Sequence, residues 1–367
     1  MNIAVFIDSF KGTLSSLELS HMIEEHFLKT HHHVSSVPIS DGGEGFIDAI
    51  EASFPNSCEH VETEGPLGEK IEAKYILHNT QAFIGLHTAA GLTLLKKSAL
   101  SPTAASSYGV GLIINDAIKK GAKKIVLGIG GSATNDGGAG FLQALGVRFF
   151  KAGSEIKQRM NGDLIDKVTA IDIRPIQPIL NDVEFVVASD VKAPLLGPLG
   201  CANMFSIQKG ATNKVRDYLE NAMKHYADVV ERTVQKRVRN IAGAGAAGGA
   251  GFGAMSLLNA TIVSGIDYLI QLLDIEKRIM ESDVVIVGEG RLDHQTIQGK
   301  APYGIASLAK KHKKTVIGLF GSLKDDLQFD LLDQLYVVAP EYASHEESLL
   351  RPKVAFKKML NDVKIDA

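Results

Sequence analysis

Four short strings hold most of the residues in this chain that could grip or move a charged group. Each follows an apolar run, where open α/β sheets place their ligand loops. The first is Asp8-Ser9-Phe10-Lys11-Gly12, with a carboxylate, a hydroxyl and an ammonium within four residues. Lys11 suits a phosphate or a carboxylate, and Asp8 a magnesium ion or a proton; the plainer alternative is a helix cap beside a surface lysine. The second is Ser40-Asp41-Gly42-Gly43-Glu44-Gly45. Its glycines let backbone approach a ligand, and the amides of a following helix can hold an anion. A tight turn with a cap explains the same string without a ligand.

The third string is the densest: Gly128-Ile129-Gly130-Gly131-Ser132-Ala133-Thr134-Asn135-Asp136-Gly137-Gly138. Glycine and small residues there can turn several backbone N–H groups to one point, which is what a polyphosphate requires. The fourth runs Gly288-Glu289-Gly290-Arg291-Leu292-Asp293 and continues through Thr296 to Gly299-Lys300. It offers acids, an arginine and a lysine beside flexible backbone; a salt-bridged surface loop is its structural alternative. Ser189-Asp190 ends another apolar run, with a carboxylate fit for magnesium or for a substrate proton. Gln208-Lys209-Gly210 adds a further possible phosphate contact.

Gly243 to Gly249 matches the loose G-x-G-x-x-G form, and Gly128, Gly130 and Ala133 match G-x-G-x-x-A. Either keeps a nucleotide-cofactor-dependent oxidoreductase of a small hydroxy acid in view, with a non-catalytic sugar-acid sensor as another alternative. Residues 238–242 make a poor strand before the first match, and no acid stands about 20 residues beyond the second, where a ribose contact is needed. The chain has no G-x-x-x-x-G-K-[ST], H-E-x-x-H or G-x-S-x-G, and no protein-kinase signature.

The elements that must position these strings alternate. Strands are expected over 2–7, 34–39, 124–127, 183–188, 283–287, 315–320 and 335–338. Helices are expected over 15–29, 46–54, 105–119, 213–238, 303–311 and 344–360. Residues 58–86 instead show the period-two alternation of antiparallel strands, with a turn at Gly65-Pro66-Leu67-Gly68. The expected fold class is α/β with two domains. A Rossmann- or flavodoxin-like parallel-sheet domain is built from both termini, 1–57 plus 262–367, with a mixed α/β domain, 58–261, inserted. A ligand cleft is expected between them.

Composition agrees with a folded soluble protein: 367 residues, 45% hydrophobic, 22% charged. With 39 basic and 42 acidic residues the formal charge is −3, so nucleic acid is not an expected partner. No run reaches the ~20 apolar residues of a membrane span, and no leader is apparent, so a cytoplasmic location is expected. Cys58 and Cys201 are too few for a disulfide framework, and His31-His32-His33 reads as a solvated loop.

Taken as an ordered set covering nearly the whole chain, these strings resemble the type I glycerate kinase family. Gly65-Pro-Leu-Gly68, Ser107-Tyr-Gly109 and Gly243 to Gly249 belong to the same set. The resemblance implies ATP and Mg2+ as partners and D-glycerate as acceptor, giving 2- or 3-phosphoglycerate. Association into a homodimer is left open. The chain departs from the family pattern at Lys192 and Ala193, just after Asp190, which is kept. Phosphoryl transfer asks mainly for positioning and charge neutralisation, and on that chemistry the expected roles are these. Gly130, Gly131, Ser132, Ala133, Thr134, Asn135, Asp136 and Gly137 hold ATP phosphates. Lys11 and Lys300 neutralise charge, and Asp190 or Asp293 takes the hydroxyl proton while the other holds magnesium. Asp8, Ser9, Lys11, Asp41, Gly42, Gly43, Glu44 and Arg291 bind the acid.

Overall fold

The computed structural model describes residues 1–40, 43, 45–297, 300–324 and 329–365. Asp41, Gly42, Glu44 and Gly299 of the strings above lie outside the described residues. In chain order the strands are β1 (Asn2–Ile7), β2 (His33–Ser36), β3 (Cys58–Glu64), β4 (Lys70–His78), β5 (Gln81–Gly85), β6 (Lys124–Gly128) and β7 (Arg148–Lys151). They continue with β8 (Ser154–Glu155), β9 (Ala170–Asp172), β10 (Glu184–Ala188), β11 (Thr261–Val263), β12 (Val284–Glu289), β13 (Thr315–Ser322) and β14 (Gln334–Ala339).

The chain divides into two compact units. The first is Met1–Asp41, Asp48–Pro55 and Gly265–Ala367; the second is Gly42–Ile47 and Asn56–Ser264. The first unit holds an all-parallel sheet in the order β14-β13-β12-β1-β2. Its central strands are buried on both faces, which is why 2–7 and 283–287 read as unbroken apolar runs rather than alternating ones. Ile3, Val5 and Ile7 face one core with Leu19, Ile23, Phe27 and Phe356. The intervening Ala4 and Phe6 are equally buried and point to the other face. Helices Ile275–Glu281 and Ala301–Lys311 pack against β1 there.

The second unit carries a six-stranded sheet in the order β11-β10-β6-β5-β4-β3. β5, β6, β10 and β11 run parallel, and β3, β4 and β5 pair antiparallel. The α/β class with a parallel sheet drawn from both termini is therefore observed. A small antiparallel sheet, β8-β7-β9, was not legible in the sequence.

Two helices end differently from expectation for local reasons. The closing helix over 344–360 is two helices, His345–Leu350 and Pro352–Leu360. Pro352 has no N–H to continue the first, and Arg351 before it is driven out of the α region. The long helix stops at Val234 because Gln235 turns left-handed. Residues 238–242 form no strand. They lead instead into helix Ala246–Leu257, whose start is bent by left-handed Ala247, Gly248 and Gly249. The G-x-G-x-x-G string at 243–249 therefore lacks the strand that a dinucleotide loop needs.

Candidate active site

The loops at the carboxyl ends of β1, β12 and β13 enclose a cavity of about 250 Å³ in the first unit. Ser9, Lys11, Arg291, Asp293 and Lys300 line it, with Glu289. Phe10, Val338, Leu349 and Pro352 form its apolar wall, and Phe10 is pinned edge-on to Phe356 with ring centroids 5.5 Å apart. The loops meet because residue 290 is glycine: a methyl there would stand 3.0 Å from the Phe10 Cα and 3.3 Å from the Lys11 amide nitrogen.

Hydrogen bonds fix the polar groups. Glu289, buried at the end of β12, accepts from the Thr296 hydroxyl at 2.6 Å and from Lys300 Nζ at 3.5 Å. The same Thr296 hydroxyl oxygen accepts from the Asp293 N–H at 3.1 Å. One buried glutamate thus sets the place of a lysine and, through a threonine, of an aspartate. Asp8 is buried at the end of β1, and its carboxylate accepts from the Ser9 N–H at 2.7 Å. Asp8 is not among the described residues that line the cavity. Three cations beside two carboxylates suit a small anion carrying hydroxyls.

A larger cavity of about 460 Å³ lies toward the opposite, amino ends of β1 and β2, around Asn2, Ser35 and Arg278. It has no glycine-rich loop, and Arg278 is held by Ser35 and the Leu273 carbonyl.

In the second unit the 128–138 string follows β6. Ser189-Asp190 follows the adjacent β10, and Ser264 follows β11, all at one edge of the sheet. The Asp190 carboxylate accepts from the Ser264 hydroxyl at 2.8 Å. Gly130 and Gly131 are partly exposed, whereas Ser132 to Gly138 are buried. Much of the expected phosphate cradle is therefore internal bracing. The Ala133 N–H donates to the Ala90 carbonyl at 2.8 Å and the Gly137 N–H to the Gly248 carbonyl at 3.0 Å.

Asp136 is fully buried, and its carboxylate accepts from the Ser107 N–H and hydroxyl at 2.9 and 2.7 Å. It also accepts from the amides of Gly138 and Gly140 at 3.0 and 3.3 Å. Burial pushes its pKa up and those bonds pull against the rise. Those bonds tie Asp136 to the turn itself. Beneath the turn, Lys209 donates to the Ser132 hydroxyl and the Thr134 carbonyl, each at 2.7 Å. Gly43 of the second string is buried, and its carbonyl accepts from the Phe46 N–H at 3.1 Å.

Sequence reasoning missed the bracing roles of Glu289, Thr296 and Ser107, and the cavity positions of Ser322, His345 and Ser348. Glu289, Thr296 and Ser107 stood inside the quoted strings. Their roles were hidden because burial, which makes them braces, is a property of the fold.

The family model for the glycerate kinase family matches residues 3–365. A glycerate 2-kinase from Escherichia coli (strain K12) is 41% identical over 332 residues, 89% of this chain and 87% of that protein. The chain belongs to the glycerate kinase family. A glycerate kinase from Halalkalibacterium halodurans is 36% identical over 354 residues, 95% of this chain and 93% of that one. A crystal structure assigned as a glycerate kinase 2 from Salmonella typhimurium LT2 superposes with a TM-score of 0.82 at 37% identity. It covers 98% of this chain and 95% of its own. Membership makes the protein a kinase, an ATP-dependent phosphotransferase, and leaves the oxidoreductase and sensor alternatives without support. Among the described residues no helix is long and apolar enough to cross a membrane, and no three His, Cys, Asp or Glu side chains gather as a metal centre.

Proposed function

We propose that the protein transfers the γ-phosphoryl group of MgATP to the 2-hydroxyl of D-glycerate, giving 2-phosphoglycerate and MgADP. The carrying observation is the cavity in which Lys11, Arg291 and Lys300 converge with Asp293. Lys11 and Arg291 hold the glycerate carboxylate there, and Ser9 holds a hydroxyl. Asp293 takes the proton as the acceptor oxygen bonds to the γ-phosphorus and the bond to the ADP oxygen breaks. Lys300 meets the charge that builds on the transferring group, as phosphoryl transfer demands positioning and charge neutralisation above all.

The nucleotide phosphates rest on the 130–137 turn. Asp190, at the neighbouring strand end, takes the magnesium that accompanies them. A single carboxylate suffices, because Mg2+ in such sites keeps its waters and phosphate oxygens beside one or two carboxylates. The choice of the 2-hydroxyl is supported by the name of the Escherichia coli relative. The compact units support domains at 1–57 with 262–367 and at 58–261. A cytoplasmic location fits this chemistry.

Glycerate-dependent ADP release tests the reaction. The proton-coupled ³¹P signal of the product tests the position, since phosphorus on C2 couples to one proton and appears as a doublet. A triplet would place the phosphoryl group on C3, and no ADP release with glycerate would remove the activity.

A further inference from the structure

Lys209 is a cation enclosed in the second unit, 2% exposed, with no carboxylate bonded to it among the described residues. A buried ammonium is costly unless something nearby balances it. From the loop, Asp136 faces it without bonding to it, its carboxylate being held by four neutral protein donors. From helix Cys201–Phe205, the buried Cys201 thiol faces it; burial pushes that thiol up to about 12, so it stays neutral. Glu220 of helix Asn213–Val234 faces the thiol and accepts from the Gly197 N–H. Asp136 is thus the carboxylate that faces the ammonium, while the ammonium's own hydrogen bonds go to the turn.

The turn has unused hydrogen-bonding capacity at the same place. Thr134 and Asn135 have no exposed surface, yet Thr134 Oγ1 and both Asn135 side-chain polar atoms lack partners among the described residues. Buried polar atoms of this kind ordinarily have a partner, so each calls for an explanation. Lys209 also sets donor directions. Ser132 Oγ accepts from Lys209, so its own hydrogen must point away from the ammonium. The Thr134 carbonyl points at Lys209, and across a trans peptide the Asn135 N–H points the opposite way. Two donors are thereby aimed away from the cation that aligns them.

We infer that Lys209 is the positioning residue of an oxyanion seat on the Ser132–Asn135 turn, acting through Ser132 when a nucleotide polyphosphate binds. This rests on the placement of the nucleotide on that turn. Binding is then coupled to protonation. Burial lowers Lys209 from the usual lysine range to about 8, and an arriving anion raises it again. Below about pH 7 the lysine is charged in both states and no proton moves. At pH 9 the free protein holds the proton in about a tenth of molecules, so anion binding takes up close to one, about 0.9.

Calorimetric titration of the full chain with MgADP, in two buffers of different ionisation enthalpy, measures this directly. Expected are uptake of about 0.9 proton at pH 9 and about none at pH 6.5. Lys209→Met should weaken MgADP about 10- to 100-fold at pH 7.5, the scale of a charge-assisted contact, and abolish the uptake. Lys209→Arg should bind at pH 9 without uptake, because guanidinium stays charged. Wild-type binding without uptake at pH 9 overturns the proposal, and so does unchanged affinity in Lys209→Met. Gly130→Glu separates the two levels: it puts a carboxylate on the exposed side of the turn. If MgADP binds that variant normally, the nucleotide sits elsewhere and this inference falls with the placement. If affinity drops but wild-type uptake is absent, the placement stands and the role of Lys209 alone fails.

Discussion

Replacing Gly248 by alanine strikes the Ser132–Asn135 turn, proposed to hold the nucleotide, from its inner side, far from it in sequence. Gly248 has φ of +65°, and a methyl there would run into the Thr134 carbonyl oxygen that receives Lys209 while standing 2.8 Å from the Asn135 Cα. Two costs add. The left-handed conformation costs a non-glycine residue about 1–2 kcal/mol. Forcing backbone apart in a packed interior costs about 1–3 kcal/mol more. Gly121 isolates the first cost, because it is also left-handed, at +95°, with nothing within 4 Å of the added methyl. At about 2–4 °C per kcal/mol, Gly248→Ala should melt about 2–12 °C below Gly121→Ala. The collision moves Thr134 and Asn135, so KM for ATP should also rise in Gly248→Ala alone. Thermal unfolding and steady-state kinetics on both variants provide the comparison. Equal melting temperatures with an unchanged KM for ATP would show that helix Ala246–Leu257 does not support the turn.

Lys209 makes stability depend on pH in a known direction. Its folded pKa of about 8 lies below the unfolded value, so between about pH 8 and 10.5 the unfolded chain binds more protons and stability rises with pH. Urea unfolding should show wild type gaining about 2–3 kcal/mol on Lys209→Met between pH 7 and 10; a constant gap would mean the lysine is not held against burial. Asp293→Asn should lower kcat by about 10²–10⁴, as loss of a general base does, whereas Asp190→Asn should act mainly on KM for MgATP; a near-normal kcat in the first or an unchanged KM for MgATP in the second refutes the role concerned. Thr296→Val leaves the Glu289 oxygen and the Asp293 N–H without the hydroxyl between them. A loss of about 1–3 kcal/mol in stability is expected, with reduced kcat, and urea unfolding beside turnover would reveal either effect missing.

Much of this protein was legible because its signals are local. Apolar runs over 2–7, 283–287 and 315–320 specify strands buried on both faces, and β/α alternation at both ends implies the parallel sheet. The strings at Asp8, Gly128 and Gly288 announce loops at strand ends because glycine and small polar residues fit where backbone must turn beside a ligand. Helix ends were less legible. The break at Arg351 turns on one proline, and the bend at Ala247 to Gly249 on left-handed backbone that helix periodicity does not encode.

The sequence by itself determined the α/β class, the strand-end strings and the set of charged groups available for phosphoryl transfer. Only the tertiary structure decided which of those groups line a cavity and which hold others in place. Asp136 and Lys209 look like ligand-facing residues in a string of letters, but the fold buries both. Burial makes a charge expensive unless protein groups bond to it. Asp136 is thereby spent on Ser107, Gly138 and Gly140, and Lys209 on aligning the Ser132–Asn135 turn. Lys11, Arg291 and Lys300 come from segments nearly 300 residues apart, and only the parallel pairing of β1 with β12 brings them to one cavity.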